Sequence, residues 1–222
     1  MTGGMVQGTA SAWWCTTGAA AAGLVFGGLS SGLTRRYLPR ERTLANSWWF
    51  HAALTAVVLG LLGWRVGTRG ELLIYGFVAV LGVPLAVIDW CEHRLPRALV
   101  WPQLAGTLAG FLVLCLVRQD FEPGLRAFAA LAAASGMFLL LALVTAGGIG
   151  AGDVSLAAVV GLVTGWIGWA EVAGALLAAS VLGVVLAAVP ATRRDDDKRG
   201  IVVPFGPCLL LGTLVIVLAV PA

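Results

Sequence analysis

The chain has 222 residues, of which 59% are hydrophobic and 11% charged, and its formal net charge is +3. Soluble globular domains carry about 25% charged residues, so this chain could not cover its own surface in water. The composition therefore predicts an integral membrane protein, and it excludes a soluble enzyme and a strongly basic nucleic-acid-binding surface.

Apolar runs long enough to cross roughly 30 Å of hydrocarbon recur along the whole chain. We predict an all-α, polytopic transmembrane helix bundle with about eight spans, formed by residues 1–222 as a single transmembrane domain. The first span has no basic start typical of a signal peptide, so we expect it to be retained. The predicted spans cover approximately residues 11–33, 47–67, 72–90, 98–117, 127–144, 154–170, 172–190 and 202–221.

Lysine and arginine are unevenly distributed between the two sets of loops. The loops after the first, third, fifth and seventh spans hold ten: Arg35, Arg36, Arg40, Arg42, Arg94, Arg97, Arg193, Arg194, Lys198 and Arg199. The opposite side holds four, namely Arg65, Arg69, Arg118 and Arg126. Because positive loops stay in the cytoplasm, we predict both termini outside.

The cysteines and histidines do not form a metal-binding pattern. A zinc site needs ligands clustered at short spacing, and the cysteines contain no C-x-x-C pair. Most of them lie in apolar runs, where cysteine behaves as a small hydrophobic residue. We therefore predict buried, unpaired thiols and no metal site from the six residues Cys15, Cys91, Cys115, Cys208, His51 and His93.

Asp89 closes the apolar run that begins at Leu72. An ionisable side chain at the edge of the hydrocarbon layer is costly and suggests a function. Its position near a helix C-terminus adds to the cost, because the helix dipole there opposes negative charge. Arg94 and Arg97 lie nearby and would compensate part of that cost. The alternative is a surface carboxylate paired with Arg94 in the short connection that follows the helix.

Asp153 follows a glycine-rich turn, residues 147–152, and opens the next apolar run. Taken alone it could be a helix N-cap, where free N–H groups and the helix dipole favour a carboxylate. Gly150 and Gly152 remove side chains beside it and allow backbone or substrate to approach closely. In the predicted topology Asp89 and Asp153 share the cytoplasmic boundary. Two carboxylates that meet there suggest a shared-proton pair that activates water.

Three motifs resemble those of the type IV prepilin peptidases, which belong to the Gly-x-Gly-Asp aspartyl intramembrane proteases. Residues 150–153, Gly-Ala-Gly-Asp, are similar to the second catalytic motif of that family. Asp89, followed by Leu95 and Pro96, is similar to the first motif. Residues 204–207, Pro-Phe-Gly-Pro, are similar to an element found late in these enzymes.

The resemblance implies an aspartic endopeptidase with Asp89 and Asp153 as catalytic residues and with no metal or cofactor. Its substrate would be a prepilin or pilin-like precursor whose short, positive leader stays in the cytoplasm. The enzyme would be a multi-pass protein of the bacterial inner membrane, with its active site on the cytoplasmic side and the lipid bilayer as its surroundings. No nucleic-acid partner is expected.

The chain also departs from the family pattern at two places. Larger members carry a cytoplasmic insert with two C-x-x-C pairs after the first span and also methylate the new N-terminus. Here the corresponding connection, Thr34 to Asn46, is short and has no cysteine, so we expect no methyltransferase activity. The residue two after the second aspartate, commonly Lys in the family, is Ser155.

Two other classes of protein remain open at this point. A small transporter also places acidic residues beside glycine-broken helices, although usually nearer the bilayer midplane. A non-catalytic membrane subunit with interfacial acidic residues would predict that replacing either aspartate leaves precursor processing intact. Proteases of the signal-peptide-peptidase type are a closer rival, but the Leu-Pro and Pro-Phe-Gly-Pro context does not favour them.

Overall fold

The computed structural model describes residues 3–38, 45–145, 150–188, 194–196, 200–202 and 204–220. This part of the chain is a bundle of apolar α-helices, and each predicted run corresponds to one helix. The prediction of a polytopic helical membrane protein is confirmed. The helices are α1 (Gly3–Thr34), α2 (Trp48–Val66), α3 (Glu71–Glu92), α4 (Arg97–Arg118), α5 (Glu122–Val144), α6 (Ala151–Ile167), α7 (Trp169–Ala188) and α8 (Gly206–Ala219).

The helices differ in how far they could reach across a bilayer. Within the described residues, α2, α3, α4, α5 and α7 are long and apolar enough to span a membrane. Helices α6 and α8 are apolar but have 17 and 14 residues, and α8 is therefore only about 21 Å long. Helix α8 begins four residues later than predicted, because residues 200–202 form a strand instead.

A short hairpin precedes α8 and was not predicted. Strand β1 (Arg194–Asp196) pairs antiparallel with β2 (Gly200–Val202), with Asp195 opposite Ile201. The charge-rich sequence here indicates a solvated loop, and nothing in its pattern signals three-residue strands.

The described chain divides into two compact units, with the boundary inside α3 between Pro84 and Leu85. The expectation of a single domain stays a prediction. In the first unit, α1 and α2 form an antiparallel pair with close backbone contact. A β-carbon built on Gly27 would lie 2.6 Å from the carbonyl oxygen of His51, and one on Gly63 would lie 2.8 Å from that of Cys15. Small residues at such crossings are typical of membrane helices, which associate through close van der Waals packing.

Exposed tryptophans mark both ends of this helix pair. Trp13, Trp14 and Trp64 lie at one end, and Trp48 and Trp49 lie at the other. Trp49 and Trp64 are separated along α2 by about 22 Å at 1.5 Å per residue. Tryptophan collects at the two interfaces of a bilayer, so the spacing fits a helix pair that crosses a membrane.

Helix α6 lies at the centre of the second unit. Its residues from Leu156 to Trp166 are all buried. Gly161 and Gly165 pack against α5, where a β-carbon on Gly161 would lie 2.5 Å from the Ala130 carbonyl oxygen.

The C-terminal end of α6 is held by one side chain of α5. The Arg126 guanidinium donates hydrogen bonds to the carbonyl oxygens of Gly165, Trp166 and Ile167 at 2.9, 2.8 and 3.1 Å. These carbonyls belong to the last turn, which has no intrahelical partners for them. Helix α6 is therefore fixed at one end by α5 and presents Asp153 at the other.

Candidate active site

Asp89 lies on the last turn of α3 and is only 5% exposed. Its Oδ2 accepts a hydrogen bond from the backbone N–H of Gly206, at 2.8 Å. Gly206 is the first residue of α8, so this N–H has no partner inside its own helix. The N-terminus of α8 thus compensates a carboxylate that the C-terminus of α3 disfavours. The alternative of a surface carboxylate beside Arg94 is wrong, since Asp89 is buried whereas Arg94 is exposed.

The Pro-Phe-Gly-Pro element is what brings this N–H to Asp89. A β-carbon on Gly206 would lie 2.8 Å from Asp89 Oδ2, so any side chain there would displace the carboxylate. Phe205 packs against Gly183 of α7, and its ring centroid lies 5.8 Å from that of Phe138 on α5. The aromatic ring therefore anchors the start of α8 while the next residue faces Asp89.

Asp153 is the third residue of α6 and is half-buried. Its Oδ2 accepts a hydrogen bond from the N–H of Gly150, the N-cap residue, at 3.2 Å. The alternative that Asp153 is itself the N-cap is wrong by three positions. A capping box has two hydrogen bonds, one from the N3 backbone N–H to the N-cap side chain and one from the N-cap N–H to the N3 side chain. Here Asp153, at N3, forms the second, and Gly150 has no side chain to form the first.

Ser155 forms a hydrogen bond within its own helix. Its hydroxyl donates to the carbonyl oxygen of Ala151 at 3.1 Å. Residues 146–149, which include the first part of the glycine-rich turn, lie outside the described residues.

Leu95 joins the surroundings of the two aspartates. A β-carbon on Gly152, the neighbour of Asp153, would lie 2.5 Å from Leu95 Cβ and 3.2 Å from its carbonyl oxygen. A β-carbon on Gly206, the hydrogen-bond partner of Asp89, would lie 3.3 Å from Leu95 Cδ2. The C-terminus of α3 and the N-termini of α6 and α8 therefore converge on one residue.

All four cysteines are free, which confirms the prediction of unpaired thiols. Cys91, Cys115 and Cys208 are also buried as predicted, whereas Cys15 is only half-buried. Among the residues that the structure describes, no three His, Cys, Asp or Glu side chains are grouped as metal ligands.

A family model described as the type IV leader peptidase family matches residues 76–188, just over half of the chain. The chain belongs to the type IV leader peptidase family. The match includes both candidate aspartates and Leu95, and it ends before the hairpin and α8.

This family member also resembles a curated relative over a longer stretch. It is 31% identical over 165 residues to a prepilin leader peptidase/N-methyltransferase of Pseudomonas putida, an alignment that covers 73% of this chain and 55% of the relative. The chain thus spans about half the length of that relative. No solved structure matches the chain.

Two contributors to the site of this leader peptidase family member were not predicted from its sequence. The sequence motifs contain Gly206 and Leu95, but no role could be assigned to either from spacing. The sequence shows only that Gly206 stands at the start of an apolar helix and that Leu95 directly precedes a proline. Neither indicates which distant side chain it contacts.

Proposed function

We propose that the chain is a membrane-embedded aspartic endopeptidase that removes the short leader from prepilin or pilin-like precursors. Membership of the type IV leader peptidase family supports the reaction class, and the name of the Pseudomonas putida relative supports the substrate class. The observation that carries the proposal is the convergence at Leu95, which puts the surroundings of Asp89 and Asp153 in contact at one end of the second unit.

In this mechanism a water molecule binds between the two carboxyl groups. The ionised carboxylate takes a proton from the water as its oxygen attacks the scissile carbonyl carbon. The protonated carboxyl donates a hydrogen bond to the carbonyl oxygen. The proton taken from the water is then given to the amine nitrogen as the C–N bond breaks, which restores one ionised and one protonated carboxyl group. The proton is shared by the pair, so the acid and base roles belong to both aspartates together.

The Gly206 N–H has a defined part in this chemistry. It binds one oxygen of the Asp89 carboxylate and so restricts rotation of that group. Donors fixed before reaction need no reorganisation in the transition state. The arrangement also places a helix N-terminus beside the negative charge that the pair must carry.

We place this active site at the cytoplasmic face of the bacterial inner membrane, with both termini outside. The asymmetry of Lys and Arg supports this orientation. Exposed Trp90 and Trp101 flank the Asp89 end of the second unit, and exposed Trp169 lies next to the opposite end of α6. Asp153 and Ile167 are about 21 Å apart along that helix. A carboxyl pair at the level of the interfacial tryptophans has access to water.

The proposed activity does not include methyl transfer. The name N-methyltransferase belongs to the Pseudomonas putida relative, and the alignment covers 55% of that protein. The Thr34–Asn46 connection of this chain has no cysteine. Incubation with a processed pilin and radiolabelled S-adenosylmethionine should give no labelled product, whereas labelling above that of a no-enzyme control would contradict this restriction.

Leader removal in cells that co-express a candidate precursor tests the peptidase proposal. Asp89→Asn and Asp153→Asn should each abolish cleavage. Asparagine keeps an oxygen that can accept the Gly206 or Gly150 N–H but cannot exchange the required proton. Asp120→Asn is the matched control, because Asp120 is exposed and also accepts a backbone N–H, from Glu122 at 3.1 Å. Cleavage at the wild-type rate by either active-site variant would leave a transporter or a non-catalytic subunit as the better explanation.

A further inference from the structure

Leu95 lies in a tightly constrained connection between α3 and α4. Helix α3 ends at Glu92 and α4 begins at Arg97. The reversal uses His93 in the left-handed region, with φ of 52°, and its N–H donates to the Asp89 carbonyl oxygen at 2.8 Å. Pro96 has φ of −68°, which its ring enforces. Leu95 is therefore held on both sides by backbone with little freedom.

Two different parts of Leu95 contact the two glycines. Its Cβ and backbone pack on Gly152, and its Cδ2 packs on Gly206. Gly152 is covalently linked to Asp153, and Gly206 is hydrogen-bonded to Asp89. Substitutions can therefore remove one contact and leave the other in place.

The reaction depends on the distance that these contacts control. A misplacement of about 1 Å in the reacting groups can reduce the rate on the order of 100-fold. Membrane helices have no hydrophobic driving force to bring them together and depend on van der Waals packing. A side chain packed against the starts of both α6 and α8 is consequently a spacer between them.

We propose that Leu95 is a positioning residue that sets the separation of Asp89 and Asp153; this inference rests on the proposed peptidase function. It contributes no proton and no charge. Its size and its rigid attachment keep the α6 and α8 N-termini apart by the width of one leucine side chain, so that both carboxyl groups reach the same water molecule.

Cleavage kinetics of the purified full-length chain with a full-length precursor provide the first test. Leu95→Ala keeps the Cβ contact with Gly152 but removes the Cδ2 contact with Gly206. We expect kcat to fall on the order of 10- to 100-fold, with KM changed by less than about threefold because substrate binding is retained. The pH dependence of kcat should also shift, since the interaction between two titrating groups depends on their separation.

Two further variants show whether the loss of kcat depends on the length of the side chain at position 95. Leu95→Met keeps the reach of the side chain and should restore most of kcat and the wild-type pH profile. Leu104→Ala removes a half-buried leucine of α4 and should leave both unchanged. Wild-type kcat and pH profile in Leu95→Ala would overturn the proposal.

A distance measurement tests the spacing without relying on activity. Spin labels at Trp90→Cys and Ala151→Cys, both exposed, flank Asp89 and Asp153 in a chain whose native cysteines are replaced by alanine. Leu95→Ala should shift or broaden their distance distribution, and Leu95→Met and Leu104→Ala should not. A loss of kcat with an unchanged distribution would also overturn the proposal, because Leu95 would then act by touching substrate.

The two proposals can fail separately. Cleavage by Asp89→Asn would refute the proposed peptidase function, yet the spin-label distances would still show whether Leu95 sets the separation between the end of α3, which carries Asp89, and the start of α6, which carries Asp153. If Leu95→Ala does not accumulate in the membrane, Leu95→Val carries the same test, since it retains Cβ and shortens the reach toward Gly206.

Discussion

Gly152→Ala should impair cleavage because the structure leaves no room for its methyl group. The new β-carbon would lie 2.5 Å from Leu95 Cβ and 3.4 Å from Leu95 Cα. Carbon atoms pack at about 3.5–4.0 Å, so α6 or the α3–α4 connection must move by about 1 Å. Because Asp153 is the next residue, we expect kcat to fall on the order of 100-fold.

The loss of kcat in Gly152→Ala should come from the steric clash with Leu95 and not from a change in backbone conformation. Gly152 is not among the described residues with positive φ, and alanine favours a helix over glycine by about 1 kcal/mol. Gly136→Ala on α5 is the matched control, since a β-carbon there meets nothing within 4 Å. It should leave kcat at the wild-type value.

Double mutants identify the clashing atom. Leu95→Gly removes the Cβ that the new methyl group meets, so Gly152→Ala should cost at least about tenfold less in that background, equivalent to a coupling of about 1.4 kcal/mol. Leu95→Ala retains the Cβ and should give no such relief. The kinetics of leader removal would be measured for the four proteins of each cycle. Equal losses in the Leu95→Gly and wild-type backgrounds, or full activity of Gly152→Ala, would refute the steric reasoning.

Three other outcomes test the Asp89 contact, the anchoring of α6 and the orientation in the membrane. Gly206→Ala places a β-carbon 2.8 Å from Asp89 Oδ2 and should lower kcat on the order of tenfold or more with little change in KM; unchanged kinetics would contradict a fixed Asp89 carboxylate. Arg126→Ala removes three hydrogen bonds to the end of α6 and should destabilise the protein by about 1–3 kcal/mol, seen as a lower unfolding temperature in detergent, whereas Arg126→Lys should lose less. A C-terminal tag should be digested by protease added to the outside of intact spheroplasts, and protection of the tag would mean that the orientation is reversed.

The helices could be predicted because their signal is local. A run of apolar residues about as long as the hydrocarbon layer is thick must satisfy its own backbone hydrogen bonds, and a helix does this within one segment. The predicted ends of α3 and α4 differ from the observed ones by no more than two residues. The starts of α1, α5 and α8 were predicted less well, with differences of eight, five and four residues. At α8 the apolar Val202 continues the pattern of the helix, although it pairs with Arg194 in the hairpin.

The candidate aspartates were also visible in the sequence, since a carboxylate at the end of an apolar run is costly wherever it lies. Their immediate environment was not visible. The partner of Asp89 is a backbone N–H at a distance of 117 residues along the chain, and a backbone group carries no sequence signature. The surface pairing with Arg94 was equally consistent with the local sequence.

Residue chemistry alone determined that this chain enters a membrane, where its helices run and which two acidic groups stand out, because each of these follows from transfer free energies summed over neighbouring residues. Only the tertiary structure decided that Leu95 lies between Gly152 and Gly206 and that α8 directs its first N–H at Asp89. Those contacts depend on how separate helices pack, and packing is determined by shapes that meet across distant parts of the chain.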